Sequence, residues 1–116
     1  MQTLSPAQRA CELRPVAVSH AGEILTFRGR YSSDGRERAR IDVENCTHRY
    51  GVKTFADGVE REMDPNALIG FYPRRTIDAV FRARIDLVPP STASYQDDDG
   101  VRLVILEVND IMPVPD

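Results

Sequence analysis

Apolar and polar side chains alternate along the segment from Thr76 to Leu87. A two-residue period is that of a β-strand, whose successive side chains point to opposite faces of a sheet. A helix would scatter the same apolar residues around its axis, so the pattern excludes one. The segment therefore predicts a long strand with one buried face, formed by Ile77, Ala79, Phe81, Ala83, Ile85 and Leu87.

Four more strands are predicted, and the first two of them show the same period. They cover residues 24–31, 37–46, 51–55 and 101–108. Gly29 lies on the inward face of the first of these, where a glycine indicates the bend that a closing sheet needs. The last strand is apolar on both faces in its middle, so another element must cover its outer side. We expect the N-terminal helix to be that cover.

Two short helices are predicted outside the strands. Ser5 can cap the first, with Pro6 at its first helical position and Gln8 completing a capping box. Pro15 disfavours helical geometry at the residue before it and so ends this helix. The second helix is predicted over residues 64–70, between an aspartate that can cap it and a glycine that stops it.

The order of these elements predicts the fold class. A helix is followed by three strands, a short helix and two strands, and an OB-type barrel has a helix between its third and fourth strands. Closure into a barrel also removes the exposed edges of a small sheet. We therefore expect a mainly β fold, a five-stranded OB-type antiparallel barrel. A chain of 116 residues has room for one such domain, spanning residues 1–116.

Several short segments carry a resemblance to known proteins. Cys11 lies in a short helix, residues 22–31 (GEILTFRGRY) form a glycine, a strand and an Arg-Gly pair, and Cys46 ends the next strand. With the closing residues 106–111 (LEVNDI), this arrangement resembles a group of small bacterial OB-fold-like β-barrel proteins. The resemblance implies an OB-type barrel, often exported, with no assigned activity.

Charge and composition narrow the classes of function. The net charge is −3, whereas a dedicated nucleic-acid binder is usually basic or has a basic face, so nucleic acid is disfavoured as a partner. The basic residues are 14 arginines and one lysine, which either selection for bidentate anion contacts or a GC-rich genome explains. We expect no membrane span and no signal peptide, because no apolar run is long enough.

Cys11 and Cys46 leave three interpretations open. A disulfide between them would close a long loop and stabilise the fold by roughly 3–4 kcal/mol. Two separate buried thiols or a pair of metal ligands are the alternatives. A disulfide needs an oxidising compartment, so this interpretation favours an extracytoplasmic or periplasmic location over a cytoplasmic one.

Arginines recur on the outward faces of the first, second and fourth predicted strands. They are Arg28, Arg30, Arg38, Arg40, Arg82 and Arg84. The first strand of an OB-type barrel pairs with both of the others, so these side chains could form one patch that binds an anionic ligand. Aromatic residues that could stack beside the patch are Tyr31, Tyr50, Phe71 and Tyr72. Carboxylates share the same faces, and cross-strand ion pairs are the ordinary use of such arginines.

Cys46 and His48 form the most reactive-looking pair in the chain. Residues two apart on a strand share a face, so a thiol and an imidazole could build a nucleophile there. Together with Cys11 and His20 they could also bind a metal ion. No zinc-site spacing is present, however, so we expect no metal and no other cofactor.

Three hypotheses for the function follow. The leading one is a non-enzymatic binding or protein-interaction module whose partner is another protein or an anionic ligand. The second is single-stranded nucleic-acid binding through the arginine patch. The third is a small enzyme that uses Cys46 and His48, for which no catalytic motif gives positive support.

Overall fold

The computed structural model describes residues 5–33, 39–59, 75–89 and 99–113. A helix, α1, and a 3₁₀ helix precede five strands, numbered β1 to β5 in chain order. Their bounds are Pro6–Leu13 for α1, Arg14–His20 for the 3₁₀ helix, Ile24–Ser33 for β1, Ala39–Val43 for β2, Arg49–Phe55 for β3, Arg75–Leu87 for β4 and Val101–Pro113 for β5. The second helix, predicted over residues 64–70, lies outside the described residues.

The five strands close into a barrel in the order β1-β2-β3-β5-β4. The mainly β fold, the closed barrel of five strands and the N-terminal helix are as predicted. Neighbouring strands are antiparallel except for β3 and β5, which run parallel. The physical reason is simple: an odd number of strands cannot alternate direction all the way around a closed ring, so one pair must be parallel.

The inward faces of β1 and β4 form much of the barrel core. Phe27 of β1 faces Phe81 of β4, and the Phe27 ring centroid lies 6.3 Å from that of Phe81 and 6.4 Å from that of Tyr50. The inward residues predicted on β4 are buried, with one exception. Leu87 is 37% exposed, because it is the last residue of the strand and stands at the rim of the barrel.

Gly29 allows β1 and β2 to approach each other closely. A Cβ atom at this position would lie 2.8 Å from the backbone oxygen of Asp42 and 3.0 Å from the Cγ2 atom of Ile41. Both distances are below normal van der Waals contact, so any larger residue would displace β2. Gly29 pairs with Val43 of β2 and with Ala79 of β4, so it lies in the part of β1 that is paired with both neighbouring strands.

The N-terminal helix begins and ends as its sequence predicts. The backbone N–H of Gln8 donates to Ser5 Oγ at 3.1 Å, and the backbone N–H of Ser5 donates to Gln8 Oε1 at 2.9 Å, which completes the capping box. Ala10 and Leu13 are buried. Beyond Leu13 the chain continues as the 3₁₀ helix, with Pro15 in its first turn, so proline ends the α-helical hydrogen bonding.

Contacts with the first three strands hold α1 in place. Cys11 and Cys46 are joined by a disulfide, one of the three interpretations of this pair, and their Cα atoms are 5.7 Å apart. The hydroxyl of Tyr50 donates a hydrogen bond to the backbone oxygen of Ala10 at 2.6 Å. The helix packs mainly against β1 and to a smaller extent against β2. This differs from the expectation that it would cover the outer side of β5.

Arg14 extends this attachment beyond α1. Its guanidinium lies 5.3 Å from the centroid of the Tyr50 ring, and its Nε donates to the backbone oxygen of Arg49 at 2.8 Å. Its Nη1 and Nη2 donate to the two carboxylate oxygens of Asp99 at 2.7 and 3.2 Å. One side chain therefore ties the start of the 3₁₀ helix to β3 and to the residues before β5.

Candidate functional site

The outer face of β1, β2 and β4 carries the predicted arginines that the structure describes. These are Arg28 and Arg30 on β1, Arg40 on β2, and Arg82 and Arg84 on β4. All of them alternate with buried residues and point away from the core, as the two-residue period predicts. Arg38 lies outside the described residues.

Arg30 is bound to a carboxylate of the neighbouring strand. It lies between Asp42 of β2 and Asp78 of β4 in the sheet register. Its Nε donates to Asp78 Oδ1 at 2.8 Å and its Nη2 to Asp78 Oδ2 at 3.1 Å. This hydrogen-bonded pair holds the pKa of Asp78 below its usual value and raises the pKa of Arg30. The charge of Arg30 is therefore largely compensated within the protein.

Other basic residues on the outside of the barrel are paired in the same way. Arg82 Nη1 lies 3.4 Å from Glu107 Oε1, and Arg49 Nε lies 3.2 Å from Asp42 Oδ1. Cross-strand ion pairs of this kind are the ordinary use of charged residues on a sheet face. Ion pairs therefore interrupt the predicted basic patch on the described outer face.

Two of the four aromatic residues expected to stack beside the patch do not lie there. Tyr31 and Tyr50 point into the barrel, where they are 8% and 0% exposed. The other two candidates, Phe71 and Tyr72, lie outside the described residues. The described outer face therefore offers no tyrosine ring for base stacking from these two positions.

A cleft of about 340 Å³ lies on the outer face where β1, β2 and β4 meet. Two buried residues, Gly29 and Val43, are among those that line it. Charged side chains form its walls. They are Arg28, Arg30, Asp42, Glu44 and Asp78. The pairs of Arg30 with Asp78 and of Asp42 with Arg49 account for three of these five charges.

Arg28 is the arginine of this cleft that has no hydrogen bond to a described carboxylate. Its Nη1 is buried and has no hydrogen-bond partner in the described part of the chain. Its Nη2 lies 4.0 Å from Asp110 Oδ2, which is too long for a hydrogen bond. A buried donor without an acceptor costs roughly 1–3 kcal/mol, and more when the group is charged.

Glu44 is the acidic counterpart of Arg28 in the cleft. Its backbone N–H donates to the backbone oxygen of Arg28 at 3.0 Å, which continues the register in which Gly29 faces Val43. The two side chains therefore start from directly opposite positions, yet they form no ion pair among the residues described, and Glu44 is exposed. Alternation alone did not reveal this relationship, because it does not fix the register of a hairpin.

The predicted nucleophilic pair of Cys46 and His48 lacks a free thiol. The sulfur of Cys46 is bonded to Cys11, and no free cysteine is present in the chain. The backbone N–H of His48 donates to Cys46 Sγ at 3.2 Å, so this contact involves the main chain of His48. Across the described ranges, no three His, Cys, Asp or Glu side chains are grouped to hold a metal ion.

Comparison with known proteins identifies no protein similar to this one. No protein-family model matches the sequence, and neither a curated protein nor a solved structure is significantly similar to it. Of the helices in the described ranges, none combines the length and the apolar character needed to cross a membrane.

Proposed function

We propose that the protein is a non-enzymatic binding module whose cleft between β1, β2 and β4 binds an anionic group through Arg28. The observation that carries the proposal is the guanidinium of Arg28, which lines the cleft and donates no hydrogen bond to a described carboxylate, since its Nη2 is 4.0 Å from Asp110 Oδ2. A guanidinium matches a carboxylate or phosphate with two parallel N–H donors, and such charge-assisted hydrogen bonds are stronger than neutral ones. An anionic group in the cleft would accept hydrogen bonds from the exposed part of this guanidinium.

The expected OB-type architecture supports a binding role. The closed barrel and its strand order are compatible with that expectation, and OB-type barrels bind ligands through one sheet face and the adjoining loops. The same fold serves many functions, so it does not identify the ligand. The charges that line the cleft are therefore the better guide to ligand chemistry.

Single-stranded nucleic acid is not the ligand that these charges favour. Arg30 is already hydrogen-bonded to Asp78, and the carboxylates of Asp42 and Glu44 would repel a second phosphate next to the first. A nucleic-acid site also needs stacking surfaces, and the described tyrosines of the barrel wall lie in the core. We therefore propose a compact anionic group rather than a polyanion.

Catalysis by Cys46 and His48 has no support in the geometry either. A nucleophilic cysteine acts as the thiolate, and the sulfur of Cys46 is bonded to Cys11. We therefore retain the non-enzymatic interpretation, in which the disulfide stabilises the attachment of α1.

The proposal is tested by titrating the nitrogen-labelled protein with sodium valerate and recording amide NMR spectra at constant ionic strength. Valerate carries one carboxylate and no other charge. We expect saturable shifts at the amides of Gly29, Val43 and Glu44, with a Kd on the order of 10 mM, because one charge-assisted pair supplies roughly 1.5–3 kcal/mol.

Two arginine variants make the test specific. Arg28→Gln should weaken valerate binding about fivefold or more, since it removes the charge and the paired donors. Arg40→Gln is the matched control, because Arg40 is exposed on the same face, does not line the cleft and forms no ion pair with another described residue. Equal affinities of the wild type and Arg28→Gln, or shifts that never saturate, would refute the proposal.

A further inference from the structure

The connection between β2 and β3, residues 44–48, joins the cleft to the disulfide. Val43 is the last residue of β2, and it lines the cleft together with Glu44, the first residue of this β2–β3 turn. Cys46 follows two residues later and is bonded to Cys11 of α1. The turn therefore begins in the candidate site and is covalently attached to the helix at its middle residue.

The disulfide is the main attachment of this turn to the interior. Four of its five residues are exposed, and Cys46 is the one that packs against the core. The N–H of Glu44 donates to the oxygen of Arg28 at 3.0 Å, and the N–H of Cys46 donates to the oxygen of Val43 at 3.2 Å. Between them, Asn45 has a φ of 56°, in the left-handed region that residues other than glycine seldom adopt. The side chain of Cys46 thus holds a turn whose main chain has an uncommon conformation.

The disulfide is accessible to a reductant. Cys11 and Cys46 are both partly exposed, and exposed disulfides are the ones that exchange with thiols most readily. The sulfur of Cys46 accepts a hydrogen bond from the backbone N–H of His48 at 3.2 Å, which would stabilise a thiolate at this atom. Cys46 is therefore the better leaving group, and an incoming thiolate attacks Cys11.

We infer that the Cys11–Cys46 disulfide is a redox switch that controls the affinity of the cleft for anions. A dithiol reductant attacks Cys11 Sγ as its thiolate, forms a mixed disulfide and releases the thiolate of Cys46, which takes up a proton. The second thiol of the reductant loses its proton and displaces Cys11, so the protein gains two thiols and the reductant becomes a disulfide. This inference rests on the proposed function and names the regulation of the same site.

Reduction loosens the turn while the barrel stays closed. The strand pairs on both sides of β2 are formed by the main chain and do not include the disulfide. The helix α1 keeps the hydrogen bond from Tyr50 to the oxygen of Ala10. In the reduced protein, however, Val43 and Glu44 are no longer fixed before an anion binds. The ligand must then order this wall of the cleft, which lowers its affinity.

The test compares the oxidised protein with the same protein reduced by dithiothreitol, in nitrogen-labelled samples at constant ionic strength. We expect the heteronuclear NOE of the amides of residues 44–48 to fall on reduction, while the values for β1 and β4 stay the same. The Kd for valerate should rise about threefold to tenfold. Removing dithiothreitol and reoxidising the protein should restore both quantities.

Variants separate the switch from the attachment of α1. The double variant Cys11→Ser, Cys46→Ser should behave like the reduced wild type and should not respond to dithiothreitol. Tyr50→Phe is the matched control, because it removes the other attachment of α1 to this part of the barrel and keeps the disulfide. The oxidised Tyr50→Phe protein should have the NOE values and the valerate affinity of the oxidised wild type.

The outcomes distinguish this inference from the proposed function. A Kd for valerate that does not change on reduction overturns the inference and leaves the anion site in place. A higher Kd with unchanged NOE values in the turn also overturns it, since the turn is the required connection. Unfolding on reduction, seen as collapse of the amide dispersion of β1 and β4, shows that the disulfide only stabilises the fold. If valerate does not bind the oxidised protein, the proposed function and the inference are both refuted.

Discussion

Replacing Tyr50 by phenylalanine removes one hydrogen bond and leaves the packing of the ring in place. The Tyr50 side chain is fully buried, and its hydroxyl donates to the backbone oxygen of Ala10 at 2.6 Å. Ala10 lies in the last turn of α1, where the N–H of Arg14 bonds to the oxygen of Cys11 instead. We expect Tyr50→Phe to lower the free energy of unfolding by about 1–3 kcal/mol, the cost of a buried carbonyl without its donor.

The same hydroxyl makes this cost depend on pH. Burial raises the pKa of Tyr50 to about 12, against the attraction of the nearby Arg14 charge for the phenolate. An unfolded tyrosine titrates near about pH 10. Between these values the unfolded state loses a proton that the folded state keeps, so stability falls as the pH rises, by about 1.4 kcal/mol per pH unit. Phenylalanine has no such proton. The difference in free energy of unfolding between the wild type and Tyr50→Phe should therefore be smaller by about 1 kcal/mol at about pH 11 than at neutral pH.

Urea unfolding followed by far-ultraviolet circular dichroism measures both effects, with the oxidised wild type and variant compared at about pH 7 and about pH 11. The difference between the two proteins cancels the titration of the other tyrosines. A deficit of the same size at both pH values would refute the raised pKa of Tyr50. No deficit at about pH 7 would refute the contribution of its hydrogen bond.

Three further predictions concern stability. Replacing Cys11 and Cys46 together by serine should lower the free energy of unfolding by about 3–4 kcal/mol, because the bond closes a loop across a sequence separation of 35 residues; unchanged urea midpoints would contradict this. Gly29→Ala should cost about 1–3 kcal/mol through its clash with β2, and Gly51→Ala, which meets only a flexible arginine side chain, should cost less in the same assay. Asp78→Asn should cost about 0.5 kcal/mol at neutral pH. That deficit should vanish in acid, as pH falls through the lowered pKa of Asp78 and wild-type stability is lost, and a deficit that persists in acid would exclude the ion pair as its cause.

The strands could be predicted because their periodicity is local. The alternation from Ile77 to Ile85 needs only the sequence, and the structure buries that face. Leu87 continues the pattern but stands at the rim, since a repeat does not reveal where the barrel ends. The packing of α1 was missed for a similar reason: it depends on the disulfide and on Tyr50, two contacts between residues far apart in the chain.

The candidate site shows more clearly what the sequence pattern cannot predict. Alternation placed Arg28 and Arg30 on the same outer face, and it treats them as equivalent. Their difference comes from what faces them across the sheet, Asp78 beside Arg30 and Val80 beside Arg28. That pairing is set by strand register, which the side-chain period leaves open. No sequence pattern marks which arginine remains without a carboxylate.

The closed ring of strands limits how any partner can approach. Many peptide-binding domains accept an extra strand at a free sheet edge, where main-chain hydrogen bonds provide affinity for almost any sequence. In the barrel as described, every strand has a neighbour on each side, so that docking mode is restricted to stretches where one neighbour ends, such as β5 beyond Ile105, which pairs with β4 alone. Along the rest of the wall a partner must recognise side chains rather than the main chain.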